Sequence, residues 1–268
     1  MTNTTALPKM LRLTDPGLRE QLEALPDSTA LIGISTNGTA IAVDIDTAPH
    51  ILVCTGTGGS TTILRTLTAQ FLHQGAHALI LDPKLLPHLW AKDLPTVTHR
   101  GNVAGIHDAL VGLAAELQRR INFDGDLDDV PRLMVVLDQA DTTLRQLTRY
   151  WETFRQKDDP KQSPAVAALE DVLYAGRQAR IHVLYNGRAV DGGLAPAARE
   201  QFATVILARV TADTWQRLAP IAGPAPKSSA HPGRAHVIQE GTAHPTQVLL
   251  MTDAEAADWL AATAAGEN

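Results

Sequence analysis

Residues 51–62, Ile-Leu-Val-Cys-Thr-Gly-Thr-Gly-Gly-Ser-Thr-Thr, decide the fold. They begin with an apolar run typical of a buried strand and continue with a glycine-rich turn, and residues 63–72 then show helical periodicity. A strand, a glycine-rich turn and a helix N-terminus in this order form an anion-binding loop, because backbone N–H groups and the helix dipole both favour negative charge there. The stretch therefore predicts an α/β domain with a phosphate-type site at residues 55–62.

This loop lacks the charge of a working phosphate-binding loop. The consensus Gly-x-x-x-x-Gly-Lys-Ser/Thr, aligned on these residues, places Thr55, Ser60, Thr61 and Thr62 at its four defined positions. Only Thr62 fits the consensus. Thr61 replaces the lysine that would meet the β- and γ-phosphates, and losing a charge-assisted contact costs roughly 1.5–3 kcal/mol. We therefore expect ATP and Mg²⁺ to bind weakly or not at all.

Composition limits the class of protein. The chain has 268 residues, of which 44% are hydrophobic, and this fits one large α/β domain. It has no apolar run of about 18 residues and no signal-peptide pattern, so we expect a cytoplasmic protein without a membrane partner. The single cysteine, Cys54, excludes an internal disulfide and is expected to be a buried, inert thiol. The net charge of −6 does not support a protein that binds DNA on its own.

Apolar runs separated by helical patterns organise the rest of the chain. Strands that are apolar throughout and alternate with helices predict a mostly parallel sheet with helices on both faces. The predicted strands are 78–81, 133–137, 181–185 and 204–210, with a short strand at 94–97. The predicted helices include 103–121, 141–155 and 164–178.

The two ends of the chain carry β-rich pairs. Asn37-Gly38 between two β-rich runs predicts a hairpin over residues 31–46. Residues 234–238 and 247–251 predict a terminal β pair. We divide the chain into an N-terminal arm (1–29), a main domain (30–252) and a C-terminal helix (253–268).

Ligands of parallel sheets bind at the carboxyl ends of the strands. Those ends lie at 55–62, 82–84, 138–139 and 186–188, and His50, His77 and His182 adjoin strands as expected structural histidines. The candidate cofactor-binding residues are Thr55, Gly56, Thr57, Gly58, Gly59, Ser60, Thr61, Thr62, Asp82 and Lys84.

An ordered series of motifs resembles the FtsK/SpoIIIE/TraB family of RecA-like, DNA-pumping ATPases over roughly residues 30–250. The motifs are Pro49-His50-Ile51-Leu52-Val53 before the loop, Leu81-Asp82-Pro83-Lys84, Glu116-Leu117-Gln118-Arg119-Arg120, Val135-Val136-Leu137-Asp138, Gly176-Arg177-Gln178-Ala179-Arg180-Ile181-His182, Pro232-Gly233-Arg234-Ala235 and Thr246-Gln247-Val248. The resemblance implies a RecA-like P-loop NTPase fold, with Thr62 and Asp138 as the Mg²⁺ ligands whenever nucleotide binds.

The chain departs from the family where catalysis takes place. Besides the missing lysine, Gln139 stands where the family has a water-activating glutamate, and Asn186-Gly187-Arg188 replaces its Gln-Arg-Pro sensor. A glutamine can orient water but cannot accept its proton. Altered residues at three catalytic positions predict a pseudo-motor without ATP hydrolysis of its own.

The resemblance also implies partners. The family assembles as hexameric rings, and Arg177 matches the arginine finger that acts on the nucleotide of a neighbouring subunit. This chain would then be a partner or regulator of an active DNA translocase in plasmid transfer or chromosome segregation. An exposed arginine at a helix end explains Arg177 equally well.

Three other functions stay open. The chain could be an ATP-binding DNA translocase with an atypical loop, which needs a charge that the motifs do not supply. It could bind a dinucleotide, because Gly56-x-Gly58-x-x-Thr61 is a weak fingerprint and Asp82 ends the next strand, although the third glycine is absent. It could also be a scaffold with an empty site.

Overall fold

A computed structural model describes residues 9–188 and 193–266, and the following bounds refer to them. The strands are β1 Leu11–Arg12, β2 Thr29–Ser35, β3 Ala40–Asp44, β4 His50–Thr55, β5 His77–Leu81, β6 Val97–Arg100, β7 Leu133–Leu137, β8 Ile181–Asn186, β9 Thr204–Ala208, β10 Arg234–Gln239 and β11 Thr242–Leu250. The helices are α1 Leu18–Glu23, α2 Ser60–His73, α3 Val103–Ile121, α4 Ala140–Glu152, α5 Pro164–Ala175, α6 Pro196–Arg199, α7 Ala212–Leu218 and α8 Asp253–Gly266.

One sheet runs through the molecule in the order β3-β2-β11-β10-β9-β4-β8-β7-β5-β6, with β1 paired to β11. The six strands from β9 to β6 are parallel, whereas β10, β11, β2 and β3 extend the sheet in antiparallel pairs. The predicted mostly parallel sheet, the N-terminal hairpin and the terminal β pair are all confirmed. Strand β4 lies between β8 and β9, so its loop opens at the centre of the sheet.

Both faces of the parallel strands are buried. Along β4, Leu52 and Cys54 face one core, which is covered by α3, α4 and α5. Ile51 and Val53 face the other core, which α2 covers with side chains including Phe71. This alternation of faces explains why the strand is apolar throughout, and each large side chain that is fully buried contributes about 1.5–3 kcal/mol.

A third cluster joins the described part of the N-terminal arm to the C-terminal helix. Leu11, Leu18 and Leu22 pack with Trp259 of α8 and with Leu249 of β11. Because β1 also pairs with β11, the arm extends the sheet and shares a core with the helix. No helix among residues 9–188 and 193–266 is long and apolar enough to cross a membrane.

Several predicted boundaries are wrong; helix α4 ends at Glu152 instead of residue 155, and β11 begins at Thr242 instead of residue 247. The short strand lies at Val97–Arg100, because a turn in which the N–H of Val97 donates to the carbonyl of Leu94 occupies the preceding residues. Helix α5 ends at Ala175 and gives way to a 3₁₀ turn at Gly176, where a Cβ atom would lie 2.4 Å from the carbonyl oxygen of Ile181. Strand β9 ends at Ala208 instead of residue 210.

Candidate nucleotide site

The glycine-rich turn leaves β4 in the predicted strand–turn–helix arrangement. Gly58 and Gly59 have φ angles of 78° and 98°, in the left-handed region that favours glycine, and α2 begins at the next residue. Gly56 donates its N–H to the carbonyl of Ala208 at 2.8 Å. A Cβ atom on Gly56 would lie 1.9 Å from the carbonyl oxygen of Arg209. Glycine is therefore required at 56 by contact and at 58 and 59 by backbone conformation.

Asp138, which follows β7, is the centre of a buried hydrogen-bond network beside this turn. Its Oδ2 atom accepts from Oγ1 of Thr61 at 3.1 Å and lies 3.3 Å from Nε2 of His88. Its Oδ1 atom accepts from the N–H of Gln139 at 2.8 Å and from Nδ2 of Asn186. Since a carboxylate only accepts, Nε2 of His88 carries the shared proton.

The network keeps Asp138 ionised. Burial by itself raises the pKa of Asp138, which is 2% exposed. The hydrogen bonds from His88, Asn186 and Thr61, together with the electrostatic influence of His88, outweigh burial, so the pKa of Asp138 lies below its ordinary value. The carboxylate is therefore a buried anion neutralised by protein donors.

The contact between Thr61 and Asp138 bears on the register of the loop. In phosphate-binding loops the final Ser/Thr and the strand-end Asp hold the same metal ion, so their oxygens lie close together. Here Thr61 meets Asp138, one residue earlier than the consensus alignment implies, and no such contact exists for Thr62 within the described residues. Counting back, Ser60 takes the lysine position and Gly59 the final glycine. Both registers lack the lysine.

The arrangement around Asp138 does not fit a Mg²⁺ ion. A carboxylate offers about four lone-pair sites, and four protein donors occupy those of Asp138. One of the donors is an imidazole N–H, where Mg²⁺ would need an oxygen ligand. A metal ion here would have to displace His88 or Asn186. Among the residues that the structure describes, no group of three or more His, Cys, Asp or Glu could hold a metal ion.

The sensor-like turn after β8 is held in place from α4. Tyr185 donates its hydroxyl proton to Asp141 Oδ1 at 2.9 Å, and the N–H of Arg188 donates to Oδ2 of the same carboxylate at 2.7 Å. Burial raises the pKa of Tyr185, and the charge of Asp141 raises it further. Gly187 fits between them, because a Cβ atom there would lie 2.7 Å from the Tyr185 ring. The turn thereby fixes Asn186 beside Asp138.

Gln139 occupies the position after the strand-end Asp with a φ angle of 51°. Its backbone N–H is used by Asp138, and its side chain is half-buried. A left-handed conformation is uncommon for a residue other than glycine and is often found at functional sites. The structure records no hydrogen bond of its side chain to a described residue.

Asp82 and Lys84 differ in their accessibility. Asp82 is fully buried, accepts from the N–H of Lys84 at 3.0 Å and lies 3.8 Å from Nε2 of His99. Because Asp82 has no exposed surface, a ligand would reach its carboxylate only after a local rearrangement. Its predicted role at a cofactor, or at the ribose of a dinucleotide, stays a prediction. Lys84 is exposed at the same edge of the sheet.

Arg177 is exposed on the 3₁₀ turn that precedes β8. Asn186, which contacts Asp138 beside the loop, is at the other end of this strand. Arg177 and the loop therefore lie at opposite ends of β8. A six-residue strand spans roughly 20 Å. Arg177 therefore does not reach the loop of its own chain.

The buried thiol and histidines have structural roles. Burial raises the pKa of Cys54 to about 11, which makes it a poor nucleophile, as expected. His50 accepts the N–H of Val183 at 3.1 Å, and burial lowers its pKa to about 4. His182 is also buried, with its pKa lowered to about 3 chiefly by burial. His77 is exposed, so burial does not account for it and its expected structural role stays a prediction.

The Glu-x-x-Arg-Arg motif is a structural clamp. Glu116 accepts from Arg119 at 2.7 Å and from Arg120 at 2.6 Å. The buried Arg120 also donates to the carbonyls of Pro131 and Ala179, at 3.0 and 3.2 Å. The motif therefore ties α3 to the segments that lead into β7 and β8, the strands that lead to Asp138 and Asn186.

Sequence reasoning missed two residues of the site. His88 is fully buried and lies in the loop after β5, where no periodic pattern marks it. Arg209 follows β9, and its Nη2 atom donates to the carbonyl of Gly58 at 2.7 Å. In the sequence, Arg209 is marked only by its position directly after the apolar run that forms β9. The structure shows that this strand pairs with β4.

Comparisons with known proteins agree on the fold. No protein-family model matches the chain, and no curated protein matches its sequence. Among solved structures, the pCW3 conjugation coupling protein TcpA with ATPγS matches with a TM-score of 0.75 and 17% identity, over 98% of this chain and 76% of that one.

Two further matches are multi-ATPase chains. Thermomonospora curvata EccC (ATPases 2 and 3), in complex with a signal sequence peptide, has a TM-score of 0.68 and 17% identity, over 92% of this chain and 44% of EccC. Geobacillus thermodenitrificans EssC (ATPases 2 and 3) has a TM-score of 0.69 and 14% identity, over 99% of this chain and 52% of EssC. This chain thus spans about half of each. Its fold is that of the FtsK/SpoIIIE-type P-loop ATPase domains, as the ordered motifs implied.

Proposed function

We propose that this chain is a degenerate FtsK/SpoIIIE-type ATPase domain that does not hydrolyse ATP. It acts as an assembly partner or regulator of a machine that moves DNA, in plasmid transfer or chromosome segregation. It binds either its own copies or an active motor subunit.

The proposal rests on Asp138, whose two carboxylate oxygens are already occupied by four protein donors. In an active P-loop motor the strand-end Asp and the loop hydroxyl hold the Mg²⁺ that bridges the β- and γ-phosphates. Here Thr61, His88, Asn186 and the N–H of Gln139 already use the carboxylate. Opening a metal site would leave these buried donors without a partner, at a cost of about 1–3 kcal/mol each.

Two further features support the loss of hydrolysis. Neither Ser60 nor Thr61, the two residues that can take the lysine position, carries a charge. Gln139 replaces the glutamate that activates water in the family. The side chain of a glutamine has no proton-accepting carboxylate, so it can at most orient a water molecule.

A role in assembly is supported by the proteins that share the fold. TcpA is a conjugation coupling protein, and EccC was solved with a signal sequence peptide. Arg177 is exposed at the end of β8 opposite its own loop, and this accessibility supports a contact with a neighbouring subunit. An oligomer of this chain with an active motor would bring Arg177 to the motor's nucleotide.

Calorimetry and a hydrolysis assay, run in parallel with Mg-ATP, test the proposal. We expect no turnover above that of a protein-free blank, and Asp138→Asn should leave this result unchanged. Steady ATP hydrolysis that falls in Asp138→Asn would overturn the proposal, because it requires a working metal site. Co-purification with an FtsK-type motor from the same cells tests the assembly role, and a chain that never co-purifies with one would refute that part.

A further inference from the structure

The backbone of Arg209 is locked onto the glycine-rich loop. Strand β9 lies beside β4 with Ala208 opposite Thr55, and Gly56 donates its N–H to the carbonyl of Ala208 at 2.8 Å. The carbonyl of Arg209 closes so tightly on Gly56 that a Cβ atom there would lie 1.9 Å from it. The backbone of Arg209 therefore lies beside the loop, and its side chain extends from that point.

The conformation of Arg209 is unusual. Its φ angle is 52°, in the left-handed region that costs a residue other than glycine roughly 1–2 kcal/mol. Strain of this kind is often stored at functional sites. The guanidinium lies over the turn, where Nη2 donates to the carbonyl of Gly58 at 2.7 Å. The same Nη2 lies 3.5 Å from the point where a Cβ atom of Gly59 would be.

The guanidinium has unused capacity to bind an anion. Its Nε atom is buried without a hydrogen-bond partner, and no carboxylate forms an ion pair with it among residues 9–188 and 193–266. The loop beside it presents backbone N–H groups and the N-terminus of the 14-residue helix α2. A planar guanidinium donates two parallel hydrogen bonds to phosphate oxygens, and its charge does not depend on pH.

We propose that Arg209 supplies the positive charge that the loop lacks, and that the site binds the polyphosphate chain of a nucleotide without Mg²⁺. The inference rests on the proposed function, because it takes the loop to be a retained nucleotide site. Protein donors occupy the carboxylate of Asp138, so this residue binds no metal ion. The phosphate charge is met by Arg209 and by the helix N-terminus. The site thereby serves to sense or hold a nucleotide and not to cleave it.

Calorimetry with ATP in EDTA, and again with excess Mg²⁺, tests the inference at constant ionic strength. We expect ATP to bind at least as tightly in EDTA, because Mg²⁺ neutralises the charge that Arg209 recognises. Tripolyphosphate should compete with ATP, whereas adenosine should not. Absence of binding in EDTA at millimolar ATP, or competition by adenosine alone, would overturn the inference.

Arg209→Gln should weaken ATP binding in EDTA by about tenfold or more, as loss of a charge-assisted contact predicts. Arg217→Gln is the matched control. Arg217 is an exposed arginine in the same region, as its electrostatic effect on the pKa of Cys54 shows, but its hydrogen bond goes to the carbonyl of Arg188 and not to the loop. An Arg209→Gln protein that melts earlier but binds ATP as the wild type does would show that Arg209 only braces the loop.

A measurement on the wild-type protein avoids any folding defect of the variant. ATP in EDTA should protect Arg209 from phenylglyoxal, as read by peptide mass spectrometry, while Arg217 reacts as before. Equal modification of Arg209 with and without ATP would refute the inference. Mg-dependent hydrolysis that requires Asp138 would instead refute the proposed function, so the two failures are distinguishable.

Discussion

The hydroxyl of Thr61 donates a hydrogen bond of 3.1 Å to Oδ2 of Asp138, 77 residues further along the chain. This pairing joins the start of α2 to the end of β7, and it gives Thr61 the place of the Ser/Thr that follows the lysine in a working loop. Ser60, at the first position of α2, then stands where the lysine would be.

Two lysine substitutions distinguish the registers. Ser60→Lys should tighten ATP binding by about tenfold to a hundredfold, because a charge-assisted contact is worth about 1.5–3 kcal/mol. Thr61→Lys should give no gain, because it also removes the hydrogen bond to Asp138. Calorimetry at one ionic strength compares the two variants. Tighter binding by Thr61→Lys alone would restore the register in which Thr62 takes the Ser/Thr position.

Much of the fold follows from local pattern. The apolar run into β4, the glycines at 58 and 59 and the periodicity of α2 each specify their own structure, because burial and positive φ angles act on neighbouring residues. The ordered strand ends also predicted that Asp138 and Asn186 lie near the loop. These predictions depend only on strand period and on parallel connections.

The remaining site residues depend on contacts that no local pattern carries. His88 reaches Asp138 across 50 residues, and Arg209 reaches Gly58 across 151. Extending β9 by two residues, to 210, placed Arg209 inside a strand and so hid it. The register of the loop depends on such a contact as well, since the sequence of the loop fits two alignments and the hydrogen bond from Thr61 to Asp138 favours one of them.

The pair Arg119 and Arg120 tests whether the Glu-x-x-Arg-Arg motif is a structural clamp. Arg120→Met should lower the free energy of unfolding by about 1–3 kcal/mol, because it removes a buried donor of charge-assisted hydrogen bonds, while the half-buried Glu116 stays paired with Arg119. It also leaves the carbonyls of Pro131 and Ala179 without this donor. Arg119→Met is the matched control, since Arg119 is exposed and binds only Glu116 among the described residues. Urea unfolding measures both, and equal losses would contradict the clamp.

Stability should fall as the pH is lowered from 6.5 to about 4. Burial lowers the pKa of His50 to about 4 and that of His182 to about 3, whereas both titrate near 6.5 in the unfolded chain. In this window the unfolded state binds more protons, so acid favours unfolding. Burial lowers the pKa values of His99 and His236 as well, which adds in the same direction.

Urea titrations at pH 7.5 and pH 5 measure this effect. We expect a loss on the order of 2 kcal/mol from each of His50 and His182. His50→Gln should reduce the difference between the two pH values, whereas His77→Gln, which alters an exposed ring, should leave it unchanged. The same pH difference in His50→Gln and in the wild type would show that His50 is not the titrating group. Asp138 does not interfere, because its lowered pKa affects stability only at more acidic pH.

Arg177 should act on a neighbour and not on its own chain. It precedes β8, whereas Asn186 at the far end of this strand contacts Asp138, so the length of the strand separates Arg177 from its own loop. Arg177→Ala should therefore leave the ATP affinity of the isolated protein unchanged. In a complex with an active motor it should lower kcat steeply, because an arginine supplied in trans is worth roughly 10³–10⁵ in rate.

The measurement is the rate of ATP hydrolysis by the motor with wild-type or Arg177→Ala protein added, at matched occupancy of the complex. Arg155→Ala is the control, because Arg155 is also an exposed arginine but lies in a different segment, after the end of α4. If both variants support the motor as well as the wild type does, Arg177 is a solvated arginine at a helix end. If Arg177→Ala alone slows the motor while the complex stays intact, the chain completes its partner's active site, since an assembly defect would have reduced the occupancy.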